Sequence, residues 1–243
     1  MEFDSVPETL QTQPDLDPPV VSCHSAIFSI VDNHLTLLLA ERNEGPFRFQ
    51  WELPGTTPAN IEDLPDAALR ASTPPLTPSG TSELQQLGAY GVPDRDPRHR
   101  SIAIVYWGVT HRHNINTGSS GPQLVPTESW LSDEFRFAFD HREIAIDALV
   151  ALQRSLNTTS LATRLCAPRF SISELQHVYE VVFEAKIPAG NFYRKIQNTP
   201  NFVTPAEEPV KDQPRKGRPA QYFEANTIIN VSPPFQFETR PTP

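Results

Sequence analysis

Apolar and polar positions change their period along the chain. From Val20 to Phe47, "VVSCHSAIFSIVDNHLTLLLAERNEGPF" first alternates β-branched and polar residues, then runs continuously apolar. The first pattern predicts a half-buried strand, the second a fully buried one, and the polar "VDNH" between them a turn. "WELPGTTP" is a second turn. Apolar spacing in "EDLPDAALRA", with Pro65 in its first turn, predicts a helix over 63–72. Pro74, Pro75 and Pro78 remove backbone donors and clash with the preceding turn, so the helix stops near Thr73 and 73–82 is a loop. "ELQQLGAYGVP" and "RSIAIVYWGVTHRH" predict further strands around the polar loop "PDRDPRH", and "NINTGSSGPQ" is a flexible connection.

The period then becomes helical. "FDHREIAIDALVALQRSL" places Ile144, Ile146, Leu149, Leu152 and Leu156 at helical spacing. Asp140 is positioned as its N-cap, with Glu143 completing a capping box. "SISELQHVYEVVFEAK" is a second helix, capped by Ser171 or Ser173. "NFYRKIQN" follows a four-residue turn, "IPAG", and precedes the polar loop "KDQPRKGRPAQ" and a strand-like "YFEA". Strands first and helices later predict an α+β chain. Its parts are a sheet domain over 20–139, a linker helix over 140–160 and a small helical domain over 161–224.

Composition adds the ends and the charge. Residues 1–19 hold five acids, four prolines and no Lys or Arg, which predicts a disordered tail. Residues 225–243 read as a Pro-rich tail that contains Phe235 and Phe237. Cys23 and Cys166 stand far apart and form neither a disulfide framework nor a zinc pattern. The absence of a signal-like segment or a long apolar run predicts a cytoplasmic protein with no membrane partner. The net charge of −9 argues against nucleic-acid attraction by the whole surface. Residues 186–223 nevertheless carry seven Lys and Arg against three acids, a local +4, which leaves −13 for the rest.

That asymmetry falls on a helix-turn-helix outline, "FSISELQHVYEVVFEAKIPAGNFYRKI". Asn191, Tyr193, Arg194 and Lys195 sit near the start of its second helix, with donors suited to phosphates and base edges in a major groove. Arg215, Lys216 and Arg218 surround Gly217 before a strand, as in a basic wing. Phe192 and Ile196 are core positions. A solvated helical appendage with an exposed basic loop accounts for the same residues.

Two segments of the first half resemble the Nudix family. "WELPGTTPANIEDLPDAALRASTPPL" is similar to the Nudix box and its lead-in. With Thr56 at the box Gly, Glu62 takes the first Glu position and Arg70 the Arg position. The three following carboxylate positions hold Ala71, Pro74 and Pro75, and the Gly position holds Thr77. "GVPDRDPRHRSIAIVYWGV" resembles a loop and strand of the Nudix proteins that act on ADP-ribose and of their regulatory relatives. "FDHREIAIDAL", "FSISELQHVYE", "NFYRK" and "GRPAQYF" resemble the winged-helix part of the NrtR-type transcriptional regulators. The resemblance covers residues 20–224.

It implies a Nudix-like mixed-sheet α/β/α sandwich followed by a small winged helix-turn-helix domain. It also implies a homodimeric regulator, a repressor of NAD-metabolism genes. Such a regulator would bind a double-stranded palindromic operator and sense ADP-ribose or a related nucleotide. The Arg position usually pairs with a box Glu that this chain lacks. A Nudix hydrolase needs carboxylate oxygens for Mg²⁺ or Mn²⁺. Ala71 and the prolines supply none, so no catalytic residue, no metal site and no cofactor is expected. The alternative is a hydrolase of ADP-ribose-like diphosphates with atypical ligands, for which Asp94 and Asp96 are the available carboxylates. Arg42, Arg70, Arg95 and Arg98 are candidates to meet a diphosphate, since guanidinium forks match phosphate oxygens. Arg42 could equally flank a strand, and Arg95 and Arg98 could pair with Asp94 and Asp96. Trp51 is a candidate to stack on the base, or a core residue. The histidines show no metal spacing, and His111 and His113 alternate along a strand.

Overall fold

The computed structural model describes residues 18–77, 84–116, 118, 121–206 and 221–237. The acidic N-terminal segment therefore lies outside the described residues. β1 (Val20–Val31) and β2 (His34–Glu41) form the first hairpin. Asp32 and Asn33 at its tip have φ of 50° and 67°, the left-handed pair that a two-residue connection between twisted strands requires. β3 (Trp51–Glu52) and β4 (Gly55–Thr56) follow, then α1 (Leu64–Ala71), β5 (Gln85–Tyr90), β6 (Ser101–Val109), β7 (Gln123–Pro126) and α2 (Thr127–Leu131). The seven strands form one mixed sheet in the order β3-β2-β1-β6-β5, with β4 added to β1 and β7 to β2. β1 and β6 run parallel at its centre.

Alternation along β1 and β2 assigns the two faces. Phe28, Leu37 and Leu39 face α3 (His141–Thr158), meeting Ile144, Ala145, Ala148 and Leu152. Ile27 and Leu38, their neighbours, face Leu76 and Ile115 on the other side. Cys23 and Tyr106 are covered by Ala67 and Ala68 of α1. Helices thus cover both faces, as in an α/β/α sandwich. α1 stops at Ala71 with buried Ser72 as its C-cap, and the Ser72 hydroxyl bonds that of Ser25 on β1.

The C-terminal unit contains β8 (Arg169–Phe170), α4 (Ile172–Phe183), α5 (Ala189–Gln197), β9 (Val203–Pro205) and β10 (Phe223–Ala225). Its strands pair in the order β8-β10-β9. Ser171, not Ser173, caps α4 in a reciprocal capping box with Glu174. α3 reaches this unit at its far end. Tyr179 donates its hydroxyl to the Leu156 carbonyl at 3.0 Å, and Gln153 donates to the Val182 carbonyl at 3.4 Å.

Four local readings are corrected. Asp140 stands at the N-cap of α3 but makes no capping bond, because Arg95 holds its carboxylate by two charge-assisted bonds. The second helix of the helix-turn-helix begins at Ala189, with Pro188 as its N-cap, so "IPAG" is only half turn. A Gly in a first turn costs little, because the amides there lack helical partners in any case. β6 ends at Val109, and His111 caps a single 3₁₀ turn (Arg112–Asn114) that contains His113, with their rings 4.7 Å apart, rather than alternating on a strand. The described part of the Pro-rich tail folds back on the winged-helix core. Phe235 is buried, and the amides of Val231 and Phe235 donate to the carbonyls of Thr158 and Asn157, each at 2.7 Å. Phe235 and Phe237 lie within 5.9 Å and 5.1 Å of the Tyr179 ring. Burying two aromatic rings outweighs the proline content of the segment. Among the described residues no helix is long and apolar enough to cross a membrane.

Candidate ligand cleft and nucleic-acid interface

A cleft of about 330 Å³ opens beside the strand ends of the first domain. Ser22 and His24 of β1 form its floor, with Arg42 beyond β2 and Glu52 of β3 on one wall. Arg95, Asp96 and Arg98 reach it from the β5–β6 loop, and Phe139 and His141 from the start of α3. Every arginine here is matched by a carboxylate of the chain. Arg42 bonds Glu52 and also donates to the Pro46 carbonyl at 2.9 Å. Arg98 grips Asp96 through Nε at 2.9 Å and Nη2 at 2.7 Å. Arg95 grips Asp140 at 2.9 Å and 2.7 Å and donates to the Ser101 hydroxyl at 3.2 Å. Arg95 thus passes over Asp94 and Asp96 for a partner far away in sequence.

The pairing sets the protonation of the cleft. Hydrogen bonds from Arg98 hold the Asp96 carboxyl down at about 2. Burial pushes Glu52 up despite its bond to Arg42. Burial lowers His24 to about 4 and His141 well below the usual imidazole value. The Leu53 amide donates to Nδ1 of His141 at 3.0 Å, so that nitrogen carries no proton. His24 and His141 meet edge to face at 4.9 Å, both neutral at pH 7. Gly55 is required beside them, because a Cβ there would lie 2.1 Å from Nδ1 of His24.

Phe139 adopts a φ of 53°, a conformation costly for an aromatic residue. Its ring lies 4.8 Å from the Arg42 guanidinium and 5.7 Å from that of Arg98. Three guanidiniums, two neutral imidazoles and an aromatic wall suit a ligand that combines anionic groups with ring systems.

Three of the five residues expected at the ligand, Arg42, Arg95 and Arg98, come together here. Trp51 and Arg70 do not. Trp51 stacks on Phe135 at 5.8 Å and packs against the core. Arg70 finds a box carboxylate after all, bonding both oxygens of Glu62 at 2.7 Å. It also donates to the Thr57 carbonyl at 3.0 Å, while Glu62 accepts the Ala59 amide at 2.9 Å. The two retained box residues therefore brace the 56–59 loop against α1. Among the described residues no group of three His, Cys, Asp or Glu is arranged to hold a metal ion. His24, His141 and Phe139 were missed as cleft residues, and Asp140 as the partner of Arg95 behind them. No local signal marks them, because they converge from β1 and from the entry to α3.

In the second domain α5 exposes Asn191, Tyr193 and Arg194, while Phe192 and Ile196 are buried. Lys195 is half-buried, with Nζ 4.5 Å above the Phe235 ring and 5.2 Å from Phe237, and burial lowers its pKa. It faces the folded-back C-terminal segment. Arg215, Lys216 and Arg218 lie outside the described residues, in the connection between β9 and β10.

A mixed-sheet sandwich with an arginine-lined cleft, joined by one helix to a winged helix, defines a two-domain architecture. Residues 162–225 match the NrtR DNA-binding winged helix domain. The fold, a mixed-sheet sandwich followed by that winged helix, is similar to the fold of solved NrtR. It is 27% identical over 190 residues to the ADPR-responsive transcriptional repressor NtrR of Acinetobacter baylyi, covering 75% of this chain and 74% of that protein. It superposes on the crystal structure of Shewanella oneidensis NrtR with a TM-score of 0.73 at 22% identity, over 85% of this chain and 94% of the other. The same protein complexed with a 27mer DNA aligns equally well. A MutT/nudix family protein from Enterococcus faecalis aligns with a TM-score of 0.67 at 20% identity, over 90% of each chain.

Proposed function

We propose that this chain is a DNA-binding transcriptional regulator, a repressor that releases its operator when ADP-ribose or a related nucleotide enters the cleft. The observation that carries this reading is the joining of an NrtR winged helix, through α3, to a cleft where Arg42, Arg95 and Arg98 converge. The A. baylyi relative, an ADPR-responsive repressor, supports the same assignment. α5 would enter the major groove with Asn191, Tyr193 and Arg194 outward, and Arg215, Lys216 and Arg218 would meet phosphates from the wing. A two-fold dimer would match a palindromic operator. A regulator of this kind works in the cytoplasm on genes of NAD metabolism.

The chain acts without hydrolysis or a metal cofactor. Its residues do not fit a Nudix metal site. Ala71, Pro74 and Pro75 bring no oxygen ligand, and both Glu62 oxygens are engaged by Arg70. Operator DNA selected from a random duplex library, followed by anisotropy titration with ADP-ribose, NAD or AMP, tests the reading. Release by ADP-ribose is expected, and retention of DNA with every nucleotide overturns the effector assignment. Mg²⁺- or Mn²⁺-dependent release of AMP from ADP-ribose would overturn the non-enzymatic assignment.

A further inference from the structure

The sequence encodes a helix cap that the structure leaves unused. Asp140 is followed by Glu143 in capping-box spacing, yet its side chain makes no bond to the first turn of α3. Its two oxygens instead lie on Nε and Nη2 of Arg95, at 2.9 Å and 2.7 Å. Arg95 is almost completely buried and lines the cleft, so its fork presents the geometry that a phosphate would seek. Asp140 therefore has two sets of partners within reach: the guanidinium it now holds, and the free amides of Arg142 and Glu143. A carboxylate at a helix N-terminus satisfies such amides and complements the helix dipole. The φ of 53° at the preceding Phe139 shows that the chain enters α3 under strain.

We propose that Asp140 is a displaceable stand-in for an effector phosphate, and that its transfer from Arg95 to the α3 amides signals occupancy to the winged helix. This rests on the cleft being the nucleotide site. Arg95 stays paired throughout, first with the carboxylate and then with the phosphate, so no buried cation is left alone. Asp140 gains the cap as it loses the guanidinium. Of the three carboxylates that neutralise the cleft, Glu52 lies on the sheet and Asp96 on a surface loop, whereas Asp140 opens α3. The other end of α3 is bonded to α4 through Leu156 and Tyr179. A change of angle or position at the start of α3 is thereby delivered to the helix that carries α5. Phosphate-bearing anions are the ligand class this exchange suits, because a group that bridges both guanidinium nitrogens can replace the carboxylate.

The test uses the full chain with Asp140→Asn and, as a charge-matched control, Glu128→Gln on α2, whose partner is His34 and which does not line the cleft. Asp140→Asn removes the competitor for Arg95 and leaves a good cap. It should bind ADP-ribose about tenfold tighter, hold operator DNA more weakly without effector, and lose most of the roughly 5–150-fold effector dependence typical of such coupling. Glu128→Gln should keep that dependence. In the unaltered protein, ADP-ribose should slow hydrogen exchange at the amides of Arg142 and Glu143, a readout independent of whether the variant folds. Wild-type dependence persisting in Asp140→Asn, equal loss in Glu128→Gln, or unchanged exchange at those amides overturns the inference. If ADP-ribose fails to release DNA from the unaltered protein, the functional assignment fails first and this inference falls with it.

Discussion

The two halves of the molecule treat their cations in opposite ways. In the cleft, Arg42, Arg95 and Arg98 each hold a carboxylate of the same chain. On α5, Arg194 is exposed and forms no ion pair among the described residues. An incoming small anion must therefore compete with internal partners, so binding in the cleft is tied to rearrangement. DNA meets a cation that is already free, so binding there draws on phosphate charge and counterion release. The half that contains the cleft is stabilised by polar pairing around it. The half that binds DNA is held by an aromatic core, in which Tyr179, Phe183, Phe192, Phe235 and Phe237 are in mutual ring contact.

The difference is broken most severely at Phe235. Phe235→Ala should destabilise the winged-helix unit by about 3–5 kcal/mol, as for other buried aromatics, with DNA binding lost in parallel. Urea denaturation followed in the full chain measures it. Acid should next separate the halves. His24 and His141 are neutral when folded and take protons when unfolded, so the unfolded state binds more protons below the ordinary imidazole value of 6.5. Stability of the cleft domain should be complete above that pH and decline as pH falls toward about 4, where folded His24 also titrates. Melting curves across this window should show the decline, and His24→Gln should flatten it.

A smaller effect separates two adjacent cations. Arg194→Ala should weaken binding to all DNA sequences and reduce the salt slope by about one. Lys195→Ala should leave the salt slope nearly intact and instead loosen the packing beneath Phe235, worth about 0.5–2 kcal/mol for a cation over a ring. Anisotropy at several salt concentrations distinguishes them. The smallest change is expected at the relic of the box. Arg70→Ala removes an exposed pair with Glu62 and should barely move the melting temperature or the affinity for ADP-ribose, because Arg70 lies outside the cleft.

Much of the fold was legible because its signals are local. The Asp32–Asn33 hairpin, α1 with its proline stop, α3 and a serine-capped α4 all follow from neighbouring residues. The candidate site was legible only in part. Arg42, Arg95 and Arg98 could be proposed because guanidiniums are conspicuous, but their partners could not. Arg70 looked bereft of a carboxylate because its expected neighbour is absent, yet Glu62 on the preceding loop reaches it. Trp51 carried an aromatic face that Phe135 had already claimed.

By itself the sequence determined the order of elements, the two-part organisation and the early end of α1. Periodicity, caps and proline breaks act over a few residues and are written in adjacent positions. Only the tertiary structure decided which charges meet: Asp140 with Arg95 instead of with its own helix, His141 with the Leu53 amide, and Phe235 with Tyr179 instead of with solvent. Those choices are competitions between partners distant along the chain. They are settled by which one is buried and correctly oriented when the sheet and helices close.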